Sequence, residues 1–177
     1  MICDAQLVEG CRNKDRKAQR TLYERFAGKM LAVALRYTHH RFDAEDVIQE
    51  SFVKVFLQMH TFRSDCPLDA WIRRIVVNTA ISFLRKEKNT QFQTDIDDHT
   101  ETLSHGEVAL SDLNYEQLLA VIKTLPTGCK VIFNLYAIEG YSHQEIAKQL
   151  NISEGTSKSQ YARAKQLLKH KLENVVD

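Results

Sequence analysis

A chain of 177 residues is long enough for one domain or for two small ones. It has only two prolines and six glycines, and it lacks the sustained alternation of apolar and polar residues that strands need, which argues against a sheet protein and predicts an all-α one. A formal net charge of +1 gives no indication of a nucleic-acid partner until it is divided by segment.

The charge is distributed in three blocks. Residues 1–92 carry 16 basic and 11 acidic side chains, residues 93–122 carry 7 acidic and no basic ones, and residues 123–177 carry 8 basic and 5 acidic ones. Because charges are screened over about 8 Å at physiological salt, a partner that docks on one block responds to that block more than to the total. Both basic blocks can therefore bind an anionic partner.

The cysteines and the first residues bear on where the protein acts. Cys3, Cys11, Cys66 and Cys129 form no C-x-x-C pair and have no histidine at metal-ligand spacing, which predicts isolated thiols in a reducing cytoplasm and no metal or other cofactor. The N-terminus lacks the pattern of a signal peptide, and no apolar run approaches about 18 residues, so we expect no membrane span.

Residues 4–40 predict one short and one longer helix. The longer helix has apolar residues at intervals of three and four that form one buried stripe: Leu22, Phe26, Met30, Val33 and Tyr37.

The next helix follows Asp43, which we predict as its N-cap. Its buried stripe consists of Ile48, Phe52, Val55, Phe56 and Met59. A second stripe, which the core does not need, consists of Asp46, Gln49, Glu50 and Val53. Acidic residues on a helix usually only solvate it, so this stripe alone does not establish a binding surface.

Residues 62–88 combine a loop with a basic amphipathic helix. Pro67 and two acidic residues interrupt the helical pattern over residues 63–69 and predict a fixed turn. In the helix, one face is apolar (Ile72, Ile75, Val76, Thr79, Ala80 and Phe83) and another is polar and basic (Arg74, Asn78, Ser82 and Arg85). The basic face suits an anionic partner and the turn beside it suits a nucleotide base, although ordinary surface arginines would give the same pattern.

Residues 89–112 have no basic residue and few large apolar ones. Such a stretch cannot bury enough surface to offset its ordering entropy, so we predict a flexible acidic linker and a domain boundary. The helical period returns at Tyr115, Leu118, Leu119 and Ile122. After Pro126 a further helix carries Val131, Ile132, Leu135 and Tyr136 and ends at Gly140.

The C-terminal segment has the pattern of a helix-turn-helix. Ser142 and Glu145 form a capping box, residues 151–153 form a turn, and Ser153 caps a final helix over residues 154–172. We expect Tyr161, Ala164, Leu168 and Leu172 to face the core. The residues expected to face outward, where they suit base edges and phosphates, are Thr156, Ser157, Lys158, Ser159, Gln160, Arg163 and Lys165. A plain helical hairpin remains the alternative.

Together these segments resemble the bacterial RNA polymerase sigma factors of the sigma-70 family, in particular the extracytoplasmic-function (ECF) group. The stretches DAEDVIQESFVKVF and FRSDCPLDAWIRRIVVNTAISFLRK resemble region 2 of that family, and YSHQEIAKQLNISEGTSKSQYARAKQLLK resembles region 4. The resemblance covers nearly the whole chain. It implies a region 2 domain at residues 1–90, the linker at 91–112 and a region 4 domain at 113–177.

The resemblance also implies partners. Asp46, Gln49, Glu50 and Val53 would dock on the clamp helices of the largest subunit of core RNA polymerase, and the chain would also contact the polymerase flap. An inhibitory anti-sigma factor is a further expected partner. No catalytic residue is implied, because such factors direct transcription initiation and are not enzymes.

Promoter DNA is the other implied partner. The loop residues Arg63, Ser64, Asp65, Cys66, Pro67 and Leu68 would capture a flipped base of the minus-ten element, and Arg73, Arg74, Asn78 and Arg85 would hold the adjacent backbone. The helix from Thr156 to Lys165 would read the minus-thirty-five element. Ser157 and Gln160 stand where the family often has a valine and an arginine, and Cys66, Pro67 and Leu68 are individual to this loop.

Two other classes of function fit parts of the sequence. A promoter-binding regulator could use the helix-turn-helix on duplex DNA without joining polymerase. A cysteine-based metal or redox sensor would require bound zinc or a thiol-dependent activity.

Overall fold

The computed structural model describes residues 3–87 and 120–173, apart from the side chains of residues 87, 172 and 173. Within these ranges the chain forms helices and turns and no strand, so the all-α prediction is confirmed. The chain divides into two compact units, residues 1–87 and 88–177. The predicted linker at 91–112 lies outside the described residues, and the domain limits at 90 and 113 stay a prediction.

The N-terminal unit contains four α-helices among its described residues: α1 (Asp4–Arg12), α2 (Arg16–Ala34), α3 (Arg41–Gln58) and α4 (Leu68–Glu87). A 3-10 turn, Met59–Thr61, extends α3. Helix α2 packs against α1, α3 and α4, and α3 packs against α4. At Gly10 an added Cβ would lie 2.5 Å from the Cβ of Ala18, so the glycine permits the close approach of α1 to α2.

The predicted buried stripes of this unit are largely confirmed. All five residues predicted as the stripe of the longer helix are buried, although Tyr37 lies in a turn after α2 ends at Ala34. Ile48, Phe52, Val55 and Met59 are also buried, whereas Phe56 is half-buried. In α4 the predicted face is buried only in part, because Ile75 and Phe83 are half-buried. Three residues outside the prediction, Val77, Ile81 and Leu84, are buried as well. The reason is that α4 packs against two neighbouring helices, so a single stripe does not cover the contact.

Two predicted boundaries are wrong. Helix α3 begins at Arg41 with His40 as its N-cap, and Asp43 lies in the first turn, where its carboxylate accepts a hydrogen bond from the His40 backbone N–H at 3.3 Å. The loop is shorter than predicted, because α4 begins at Leu68 directly after Pro67. Leu68 is 3% exposed and belongs to the core.

Where the C-terminal unit is described, it has three α-helices after a helical segment that ends at residue 123: α5 (Thr127–Phe133), α6 (His143–Leu150) and α7 (Glu154–Glu173). Helix α5 continues into a π-helical turn, Asn134–Ile138, and Gly140 has a φ of +78°, a conformation that favours glycine. Helix α7 packs against both α5 and α6.

The core of this unit includes Ile122, Leu125, Cys129, Ala164 and Leu168. Val131, Ile132 and Leu135 are buried as predicted, but Tyr136 is 38% exposed and Tyr161 is half-buried. The predicted burial of Leu172 concerns a side chain that is not described, and the predicted helix residues Tyr115, Leu118 and Leu119 lie outside the described residues. None of the described helices is both apolar enough and long enough for a membrane crossing.

Candidate functional site

The outward face of α3 carries large apolar side chains as well as the predicted polar ones. Phe42 is 71% exposed, Val53 58% and Leu57 69%. Together with Asp46 and Gln49, both exposed, they recur at intervals of four, three, four and four residues and therefore share one face of the helix. We call these five residues the α3 outer face. Phe42 and Leu57 were missed in the sequence, although their spacing from Asp46 and Val53 was visible there.

Glu50 borders the α3 outer face but already has a partner within the unit. Its carboxylate accepts from Lys54 Nζ at 2.7 Å, and this hydrogen bond is the main reason that the pKa of Glu50 is lowered. Lys54 Nζ also donates to Thr79 Oγ1 of α4 at 3.2 Å. Glu50 therefore helps to join α3 to α4, whereas Asp46 and Gln49 project to solvent.

The loop over residues 63–67 lies between two buried side chains. Phe62 is 4% exposed and Leu68 is 3% exposed, while the five residues between them are all exposed. Ser64 has a φ of +59°, which turns the chain sharply. The Phe62 ring packs against Trp71 with centroids 5.3 Å apart. The geometry therefore presents a short exposed loop between two buried residues. Leu68, predicted as one of the contact residues of the loop, is instead buried in the core at the start of α4.

Helix α4, which begins where this loop ends, carries the predicted polar face along its length. Arg74, Asn78 and Arg85 are exposed, while Arg73 and Ser82 are half-buried. Ser82 Oγ donates to the Asn78 carbonyl at 2.9 Å, so this serine is used within the helix.

The helix-turn-helix is confirmed in its local geometry. Ser142 Oγ accepts from the Glu145 backbone N–H at 3.3 Å, and the Glu145 carboxylate accepts from the Ser142 backbone N–H at 2.8 Å. Asn151 ends α6 in the left-handed conformation, with a φ of +56°. Ser153 Oγ accepts from the Thr156 backbone N–H at 2.9 Å and so caps α7.

Two residues predicted to face outward on α7 are buried. Ser157 is 0% exposed and Gln160 is 4% exposed. Positions 157, 160, 164 and 168 form one stripe at intervals of three, four and four, so both polar residues continue the stripe of Ala164 and Leu168 into the core. Ser157 Oγ lies 2.9 Å from His143 Nδ1, and Cys129 Sγ donates to Gln160 Oε1 at 2.9 Å. Both side chains therefore have polar partners inside the unit, and the prediction that they face outward is wrong.

The exposed face of α7 contains the remaining candidates. Lys158, Ser159 and Lys165 are exposed, and Thr156 and Arg163 are half-buried. Ala162 and Gln166 share this face and were missed in the sequence, although they lie three and seven residues after Ser159. Lys158 pairs with Glu154 at 2.7 Å, and the hydrogen bond between them is the main cause of the lowered pKa of Glu154. Lys165 lies over the ring of Tyr161 at 5.1 Å.

An aromatic cluster supports the start of α6. The rings of Tyr136 and His143 stack at 4.2 Å, and those of Tyr136 and Tyr161 lie 4.5 Å apart. Burial is the main reason that the pKa of His143 is lowered, and the nearby charge of Lys158 lowers it further, while Glu154 acts in the opposite direction. Burial also raises the pKa of Tyr161.

The four cysteines are free thiols. Cys3 and Cys66 are exposed, Cys11 and Cys129 are buried, and none is joined in a disulfide. Burial raises the pKa of the Cys11 thiol. Over residues 3–86 and 120–171, no three histidine, cysteine or acidic side chains are grouped so that they could hold a metal ion.

Two family models match the chain in the order expected from its sequence. Sigma-70 region 2 matches residues 22–90, and Sigma-70 region 4 matches residues 115–168. Residues 1–21, with α1, lie outside both matches.

Curated relatives match over nearly full length. An ECF RNA polymerase sigma-E factor of Haemophilus influenzae is 29% identical, over 97% of this chain and 96% of that protein. The factor of the same name from Escherichia coli K12 is 28% identical, over 99% and 97%.

Two solved structures share the fold. A structure of CnrH in complex with the cytosolic domain of CnrY matches with a TM-score of 0.53 and 22% identity, over 97% of both chains. The sigma factor RpoE of Bartonella quintana, solved with the anti-sigma factor NepR, matches with a TM-score of 0.55 and 21% identity, over 87% of this chain and 96% of that one. With both family regions in order and full-length relatives of one kind, this chain belongs to the sigma-70 family of RNA polymerase sigma factors, in its ECF group.

Proposed function

We propose that this protein acts as an alternative sigma factor whose N-terminal unit binds core RNA polymerase through the α3 outer face. The observation that carries this proposal is the set of exposed Phe42, Val53 and Leu57 on a helix whose opposite face already forms a complete core. Apolar anchors among polar side chains are typical of protein interfaces. We place the clamp helices of the largest polymerase subunit on this face, with the flap as the contact of the C-terminal unit.

The loop over residues 63–67 is the proposed minus-ten pocket. Extruding a base from a duplex costs a few kcal/mol, and stacking and edge contacts in a pocket return about 1 to 3 kcal/mol per base. An exposed loop held at both ends can provide such contacts without a large ordering cost of its own. Arg74, Asn78 and Arg85 would hold the adjoining backbone. No bond is made or broken, so the protein is an initiation factor and not an enzyme.

The exposed face of α7 is the proposed reader of the minus-thirty-five element. Lys158, Ser159 and Lys165, with Thr156 and Arg163 at the sides, would contact phosphates and base edges in the major groove. Ser157 and Gln160 take no part, because they lie in the core. The departures from the family pattern at these two positions therefore affect the interior of the unit and not the reading surface.

An anti-sigma protein is the proposed inhibitory partner. The RpoE chain that shares this fold was solved with such a factor, and the α3 outer face gives an inhibitor an apolar surface to cover. Binding there would exclude polymerase by competition. We also place the protein in the cytoplasm, where its polymerase acts.

The proposal is tested by in vitro transcription with purified core enzyme and a library of promoter fragments. We expect defined start sites that depend on this chain, and their loss in the variant Asp46→Lys/Gln49→Lys, which places two positive charges on the α3 outer face. Gln58→Lys, an exposed position on another face of α3, is the matched control. Transcription without defined start sites would refute the proposal. Tight duplex binding without core enzyme would favour a plain helix-turn-helix regulator.

A further inference from the structure

Helix α1 lies outside the region matched by the family models, yet one of its side chains reaches the proposed minus-ten loop. Arg12, the last residue of α1, donates from Nη2 to the carbonyl oxygen of Phe62 at 2.6 Å and from Nε to that of Met59 at 3.5 Å. These bonds span about fifty positions of sequence. They fix the residue after which the exposed loop begins.

The surroundings of this contact make it a defined anchor. The Arg12 side chain is 35% exposed, and its Nη1 also lies 3.8 Å from Glu9 Oε2. Phe62 is 4% exposed, and its backbone N–H donates to the Met59 carbonyl at 3.3 Å. Hydrogen bonds that involve a charged donor are stronger than neutral ones, and the Phe62 carbonyl directly follows the 3-10 turn.

We propose that Arg12 is a positioning residue for the loop over residues 63–67: α1 holds the loop in the shape that receives a DNA base. This inference rests on the proposed function for the role of the loop, but the anchor itself is independent of DNA. The other end of the loop is held by the buried Leu68 and by the Trp71 backbone N–H, which donates to the Pro67 carbonyl at 3.1 Å. Arg12 therefore supplies the hold at the first end.

The chain contains its own reporter for this anchor. Trp71 is the only tryptophan in the sequence, and its ring packs against that of Phe62. Arg63, the first exposed loop residue, is a trypsin cleavage site. Release of the Phe62 carbonyl should change the quenching of Trp71 fluorescence and speed cleavage after Arg63.

The experiment compares the full-length wild type with Arg12→Met, which keeps the length of the stem but removes the donors, and with Arg12→Lys, which keeps the charge. Arg20→Met, at an exposed position on α2, controls for the lost charge. We expect cleavage after Arg63 to be about tenfold faster in Arg12→Met, smaller effects in Arg12→Lys and none in the control. With core polymerase, Arg12→Met should bind as the wild type does but form open complexes about tenfold less well.

Three results would overturn the inference. The first is wild-type cleavage and Trp71 quenching in Arg12→Met. The second is an equal loss of core binding and DNA opening, which would show a general structural role. The third is failure of Arg12→Met to fold while Arg12→Lys behaves as the wild type does in cleavage, quenching and open-complex formation. If the wild type supports no transcription, the proposed function fails, while the cleavage and fluorescence results still decide the anchor.

Discussion

Removing the two exposed apolar side chains near the end of the α3 outer face should weaken polymerase binding without weakening the fold. Burying a whole valine or leucine side chain contributes about 1.5–3 kcal/mol. Val53 and Leu57 are 58% and 69% exposed, so docking can bury somewhat more than half of each. Alanine keeps the Cβ of each side chain, so the expected loss in Val53→Ala/Leu57→Ala is about 1–3 kcal/mol, or roughly 5-fold to 150-fold in Kd.

The same exposure predicts that folding is unaffected. Substitutions at exposed helix positions usually change the free energy of unfolding by less than about 0.5 kcal/mol, and alanine is a good helix former. The assay is titration of labelled protein with core polymerase, with the thermal midpoint measured on the same samples. Gln58→Ala, also exposed on α3, is the control. A Kd within about twofold of wild type would show that this face is not the contact.

Three further predictions concern DNA binding and the C-terminal unit. Arg74→Ala and Arg85→Ala should each reduce the salt slope of promoter binding by about 1 if each contacts one phosphate, and unchanged slopes would remove α4 as a DNA surface. Gln160→Leu should keep or raise the thermal midpoint, because the Cys129 thiol is a weak hydrogen-bond donor to Gln160 and leucine suits a buried site. If the variant instead loses binding at the minus-thirty-five element alone, Gln160 contacts DNA. The pKa of His143 is lowered in the folded protein, so the unfolded chain takes up a proton first as pH falls below about 6.5. The stability of this unit should therefore fall in that range. His143→Phe should reduce the difference in thermal midpoint between about pH 8 and about pH 5.5. An identical pH dependence in the variant would contradict the burial of the His143 ring.

The helices were predictable because their apolar residues repeat with the helical period. Leu22, Phe26 and Met30 are spaced by four, so they lie on one face of α2, and that face is buried. The capping box at Ser142 was equally local, since both of its hydrogen bonds join residues three apart. Features that depend only on residues three or four apart can therefore be predicted from the sequence.

The errors arose where a distant partner decides the outcome. Gln160 is buried because Cys129 accommodates its amide from 31 positions away, and Ser157 because His143 meets its hydroxyl from 14 positions away. Polarity alone therefore placed both on the wrong side of α7. The same limit applies to Phe42 and Leu57, because apolar residues at helical spacing look alike whether a neighbouring helix covers them or not.

Glu50 shows why the distinction matters for experiments on the polymerase contact. It belongs to the acidic stripe of the sequence, but its carboxylate holds Lys54, which in turn donates to Thr79 on α4. Reversing the charge at Glu50 would place two cations side by side and release the link between α3 and α4, the helix that carries the proposed DNA contacts. Such a variant could lose promoter opening while its affinity for polymerase stays unchanged. Charge reversal at Asp46 and Gln49 avoids this ambiguity, because both side chains project from α3 to solvent.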